Sequence, residues 1–130
     1  MKRQLARRSR QASQFPPHVS GGAVIEVTGT EQYDELLNSE PRVIAMFTAA
    51  WCAPCKAITP EFERLSRQYG TVAFLSIDVS ANEENEELAD REGISGMPAF
   101  IALRNGRKME TIKGAFDEGL RRMVRGLAAS

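Results

Sequence analysis

Both cysteines of this chain fall within one hexapeptide, Trp51-Cys52-Ala53-Pro54-Cys55-Lys56. Two intervening residues let the sulfurs meet, so the pair can pass between dithiol and disulfide with little backbone movement. Such chemistry needs one sulfur as a thiolate, because the thiolate and not the thiol is the nucleophile. A helix beginning at the pair would supply it, since unpaired N–H groups and the macrodipole at a helix start favour negative charge. On that placement Cys52, nearest the donors and solvent, attacks first. Cys55, one turn in, is the more buried and resolves. Pro54 suits the first helical turn, where its missing N–H takes nothing away. Ala-Pro between the cysteines brings neither His nor charge, which predicts a reducing couple.

Two other chemistries compete for these sulfurs. A structural zinc site asks for four protein ligands, and beyond one CxxC the chain offers only His18. It could form only between chains, so no metal is expected. Two inert thiols in a core are the plainer alternative. A tight turn behind Trp51, with no cysteine elsewhere, favours redox work instead.

The cysteines need a strand before them and a helix after them, and the chain provides both. Val43–Thr48 is a nearly continuous apolar run, as a strand buried on both faces requires. Ile58, Phe62 and Leu65 then form one stripe of a helix over about Ala53–Tyr69, with Gly70 as its stop. Upstream, Ala23–Val27 reads as a short strand, and Thr30 can cap a helix to about Asn38, before Pro41. Downstream, Thr71–Ile77 is a second buried strand, and an acidic helix follows from about Glu83 to Glu92, ended by Gly93. Pro98 opens the strand Ala99–Arg104. Asn105-Gly106 signals a hairpin into Lys108–Lys113. A last helix covers about Phe116–Ala128, with Leu120, Met123, Val124 and Leu127 inward. Strands separated by helices imply parallel crossovers, and the hairpin adds an antiparallel edge.

The whole has 130 residues with 17 Lys+Arg against 17 Asp+Glu, and 42% hydrophobic residues. That composition fits one globular domain, gives no global field for nucleic acid and holds no stretch of roughly 20 apolar residues for a membrane span. The neutrality conceals a division. Residues 1–22 carry Lys2, Arg3, Arg7, Arg8 and Arg10 with no acid, leaving 12 basic and 17 acidic residues in 23–130. The first segment reads as a disordered basic extension, with the composition of an organellar transit peptide as the alternative. No apolar secretory core is present, so a cytoplasmic location is expected, or a mitochondrial or other organellar one if residues 1–22 are a transit peptide. The acidic run from Asn82 to Glu92 reads as a solvated helix face.

With these features in place, the segment from about residue 24 to 128 resembles the thioredoxin family. The family's usual signature WCGPCK stands here as Trp51-Cys52-Ala53-Pro54-Cys55-Lys56. Phe47 and Ala49 match the strand before the motif, Pro60 the proline inside the motif helix, and Ser76-Ile77-Asp78 the end of the central strand. Met97-Pro98 matches the family's cis-proline, Asn105-Gly106 the hairpin turn, and Gly114-Ala115 a glycine bordering the binding surface.

The resemblance implies a thioredoxin fold: an α/β domain with a central mixed five-stranded sheet flanked by four helices over residues 23–130. It also implies a protein-disulfide reductase acting through Cys52 and Cys55 on disulfide-containing target proteins. Such a protein is re-reduced by a separate flavoprotein reductase using NADPH, binds no cofactor itself and works as a monomer. Trp51, Ala53, Pro54, Met97, Pro98, Gly114 and Ala115 would form its surface for an extended peptide, with Met97-Pro98 cis. Apart from the resemblance, Lys56 and Lys113 flank the motif, where they would favour thiolate electrostatically or, as exposed lysines mostly do, serve solubility.

Two positions depart from the family. Its usual buried Asp, six residues before the first cysteine and thought to help deprotonate the resolving thiol, is Met46 here. Phe74 stands near where the companion lysine is expected. Resolution without that carboxylate is expected to be slower, or to use water or a substrate group. Met46 also supports the alternative function, a binding or redox-sensing module with weak reductase activity. The second departure is Ala53 for Gly, which adds a methyl to the substrate-facing turn.

Overall fold

The computed structural model describes residues 22–130. The expectations for residues 1–21, extension and targeting alike, lie outside the described residues. Within them the order is β1 (Val24–Val27), α1 (Thr30–Ser39), β2 (Arg42–Thr48), α2 (Ala53–Gln68), β3 (Ala73–Asp78), α3 (Glu83–Arg91), β4 (Ala99–Arg104), β5 (Arg107–Lys113) and α4 (Asp117–Ala129). The strands form one sheet in the order β1-β3-β2-β4-β5. β1 and β2 run parallel to β3, while β4 is antiparallel to both β2 and β5. This is the five-stranded mixed sheet with four helices that the resemblance implied.

Strand β2 is central because both its faces are covered, which is why its sequence is apolar without alternation. Val43, Ala45 and Phe47 face a core shared with Leu75, Ile77, Ile101 and the helices α1 and α3, through Tyr33, Leu36 and Leu88. Ile44 and Met46 face the opposite core. There Phe74 and Phe100 meet Ile58, Phe62 and Leu65 of α2 and Leu120, Val124 and Leu127 of α4. The rings of Phe62 and Phe74 meet edge-on, with centroids 5.2 Å apart. Burial of side chains this size is each worth about 1.5–3 kcal/mol, so both layers grip the sheet strongly.

Local signals set the turns. Asn105 and Gly106 both take positive φ, 52° and 79°, as the tight hairpin demands. On the way back Met109 is a bulge, since Ala102 pairs with Glu110 and Leu103 with Lys108.

Two boundary expectations are corrected. Thr30 does not cap α1; it is the first helical residue after Gly29, and its N–H donates to Glu84 Oε1 at 2.8 Å. The cap therefore comes from α3, 54 residues away. Nor does Gly70 end α2. The helix closes at Gln68 with Tyr69 as its C-cap, at a φ of −109° open to any residue.

Candidate active site

At the carboxyl end of β2 the chain turns once and enters α2, and this turn holds both cysteines. Cys52 N donates to Ala49 O at 3.1 Å, which closes the turn. Cys52 is itself the N-cap of α2, in an extended conformation, and its Sγ accepts from Cys55 N at 3.2 Å. A sulfur thus occupies the position where helices usually place the oxygen of Ser, Thr, Asp or Asn. No acidic residue lies in the first turn of α2. Pro54 sits in that turn, as the sequence predicts.

Cys52 and Cys55 are joined as a disulfide with their Cα atoms 5.3 Å apart. Cys52 keeps 4% of its surface exposed and Cys55 none. Cys52 is therefore the outer sulfur of the pair and Cys55 the more buried. Around the pair Ala49, Val79 and Met97 make a small apolar cluster. Ala53, Pro54 and Lys56 are exposed beside it, and Trp51 stands 72% exposed. The Met97–Pro98 peptide is cis, as the resemblance implies. Pro98 O accepts from Gly114 N at 2.9 Å, which draws Gly114 and Ala115 to the same rim. Gly114 has φ +97°, a conformation that L side chains rarely adopt.

Met46 does not join the cysteines. It packs in the apolar layer with Ile44, Phe62, Phe74 and Phe100, so the interior under α2 holds a thioether and rings where a carboxylate and a lysine were expected from the family. Lys113, another cation near the rim, gives its Nζ to Ser95 Oγ at 3.3 Å.

One anchor of the site escaped the sequence reading. Ala50 N, two residues before Cys52, donates to Ser80 Oγ at 3.0 Å. Ser80 in turn donates to Asp78 Oδ1, through its hydroxyl and, at 2.9 Å, through its N–H. The end of β3 thereby holds the loop that presents Trp51 and Cys52. The local Asp-x-Ser turn was legible, but its reach across to Ala50 depends on strand order. Thr59 adds a second tie, its hydroxyl donating to Cys55 O at 2.8 Å along α2.

Elsewhere, a cleft of about 220 Å³ lies between Leu37, Asn38, Ser39, Glu40, Pro41 and Asn105, at the opposite end of β2. It is smaller than usual small-molecule sites, and the sulfurs open onto a surface. Among the described residues no helix is long and apolar enough to cross a membrane.

Comparison with known proteins converges on one family. The family model described as Thioredoxin matches residues 23–126. Thioredoxin 1 of Plasmodium falciparum is 35% identical over 103 residues, covering 79% of this chain and 96% of that protein. A Populus jackii H-type thioredoxin is 33% identical over 132 residues, covering 97% and 93% of the two chains. Among solved structures, spinach chloroplast thioredoxin f superposes with a TM-score of 0.78 at 29% identity, over 88% of this chain and all of that one. With a disulfide-bonded CxxC at the head of α2 and a match across the folded region, the chain belongs to the thioredoxin family of thiol–disulfide oxidoreductases.

Proposed function

We infer that this protein reduces disulfides in other proteins. One observation carries the reading: the solvent-side cysteine of a CxxC pair is the N-cap of a helix with no acid in its first turn. Helix donors and dipole aimed at that sulfur favour its thiolate and so its attack. In the reaction the Cys52 thiolate attacks one sulfur of the target disulfide. A Cys52–target bond forms, the target's S–S bond breaks, and one target thiolate leaves and takes up a proton. Cys55 then loses its proton and attacks Cys52 Sγ, forming the Cys52–Cys55 bond and releasing the second target thiolate. Two electrons have passed to the target, and its two thiolates take up the proton that Cys55 loses and one from solvent.

A separate flavoprotein reductase drawing on NADPH returns those electrons. Trp51, Ala53, Pro54, Met97, Pro98, Gly114 and Ala115 form the surface on which an extended target segment lies. Lys56 adds positive charge beside the thiolate. The working unit is one monomeric domain over residues 23–130, in a reducing compartment such as the cytoplasm. Residues 1–22 are a basic extension to it.

Insulin reduction by dithiothreitol tests the reading. The protein should accelerate precipitation of the insulin B chain, Cys52→Ser should abolish the acceleration, and Cys55→Ser should accumulate a mixed disulfide on Cys52. No acceleration over dithiothreitol alone would contradict it. Met46 favours a second reading, a binding or redox-sensing module, because no carboxylate from β2 serves Cys55. Under that reading Cys52 would react once, with slow release from the mixed disulfide.

A further inference from the structure

Phe116 departs from what folding alone would select, and it does so two residues after Gly114, whose N–H donates to Pro98 O. Its ring is 68% exposed, although an aromatic of this size gains most by burial. It is also the N-cap of α4 and offers no acceptor to the first helical N–H groups. The other three helices each begin on one: Glu84 Oε1 for α1, Cys52 Sγ for α2 and Asn82 Oδ1 for α3. Ser, Thr, Asp or Asn at position 116 would serve α4 better. The ring also constrains a neighbour. A Cβ on Gly114 would stand 2.5 Å from Phe116 Cε2, so the ring lies against Gly114, whose φ of +97° already favours glycine.

Three contacts connect the ring to the sulfurs. Met97 packs against Cys52 and Cys55, Pro98 O holds Gly114 N, and Gly114 carries the ring. Phe116 thus forms an apolar wall at the α4 side of the rim, on the cis-proline side of the pair. Local rules broken at one residue, with most of its ring left in solvent, mark a position kept for binding.

We propose that Phe116 determines which protein disulfides this protein reduces, selecting targets that carry an apolar side chain beside the reactive cysteine. This rests on the reductase reading of Cys52 and Cys55 and specifies its substrate. Covering the exposed ring with a leucine-sized side chain removes enough apolar surface from water to favour such targets about tenfold.

Two symmetrical peptide disulfides test the proposal, identical except for Leu or Ser next to the cysteine. The native protein should show a kcat/KM about tenfold higher on the Leu peptide, mostly through KM. Phe116→Ser should bring that ratio near one while raising the melting temperature by about 4 °C, because it supplies the missing cap. Phe116→Leu should keep most of the ratio. Met109→Ser, which removes an equally exposed apolar side chain from β5, should leave the ratio as it was. A native protein that reduces both peptides equally, or a Phe116→Ser variant that still prefers Leu, would overturn the proposal. A native protein that reduces neither peptide would overturn the reductase reading and this inference with it.

Discussion

Helix α3 begins on the side chain of Asn82, whose Oδ1 accepts from Asn85 N at 2.8 Å, and carries Glu83, Glu84 and Glu86 in its first turn. Helix α2 begins on the sulfur of Cys52 and has no acid there at all. Both starts present the same donors and the same positive end of a dipole. At α3 fixed carboxylates and an amide answer them, and Glu84 also caps α1. At α2 they are left for a charge that comes and goes with the redox state. The interiors differ in the same sense. Asn85 is fully buried and ties Val27 O and Asp78 O to its Nδ2, each at 3.0 Å. Under α2 the side chains are Met46, Phe62 and Phe74, with a packed apolar layer and no polar network. One helix start is capped by its own side chains, and on the reductase reading the other keeps its field for a thiolate.

Exchanging features between the two starts should expose that division. The largest effect is expected from Met46→Asp, which would put a carboxyl among Phe62, Phe74 and Phe100. Urea unfolding at pH 7 should show a loss of about 3 kcal/mol or more, smaller in acid where the carboxyl stays protonated. Lys56→Glu gives α2 the first-turn acid that α3 has. Alkylation of reduced Cys52 by iodoacetamide at pH 7 should slow about two- to fivefold, and an unchanged rate would show that the first-turn charge does not reach the sulfur. Asn82→Ala removes the cap of α3 and should cost about 1 kcal/mol of stability. Insulin reduction per folded molecule should stay the same.

The smallest effect belongs to Glu26 on β1. Burial, and then the charges of Asp78 and Glu63, hold its carboxyl above its ordinary value. The folded protein therefore binds this proton more tightly than the unfolded chain, and stability falls as pH rises through that range. Glu26→Gln should raise the melting temperature slightly at pH 7 and leave it unchanged at pH 4.

The sequence shows the difference between the two helix starts only in part. Cys52, Ala53, Pro54 and Cys55 announce their chemistry because it depends on residue type and short spacing. The strands are legible for a related reason: burial on both faces writes a continuous apolar run at Val43–Phe47. Asn105-Gly106 fixes the hairpin because few residues take positive φ twice in succession. Two of the misses share one cause, a partner distant in the chain. Glu84 caps α1 from 54 residues away, displacing Thr30 from the role its type suggests. Ser80 holds Ala50 only because β3 lies beside β2. Phe116 reads as one more apolar residue until Gly114 is seen against its ring.

The central claim is that the start of α2 stabilises a thiolate on Cys52. Titrating the reduced protein by thiolate absorbance near 240 nm, with Cys55→Ser to isolate one sulfur, measures this directly. The account predicts a midpoint clearly below the ordinary thiol value of about 8.5, moving upward in Lys56→Glu. A midpoint at or above that value would contradict it.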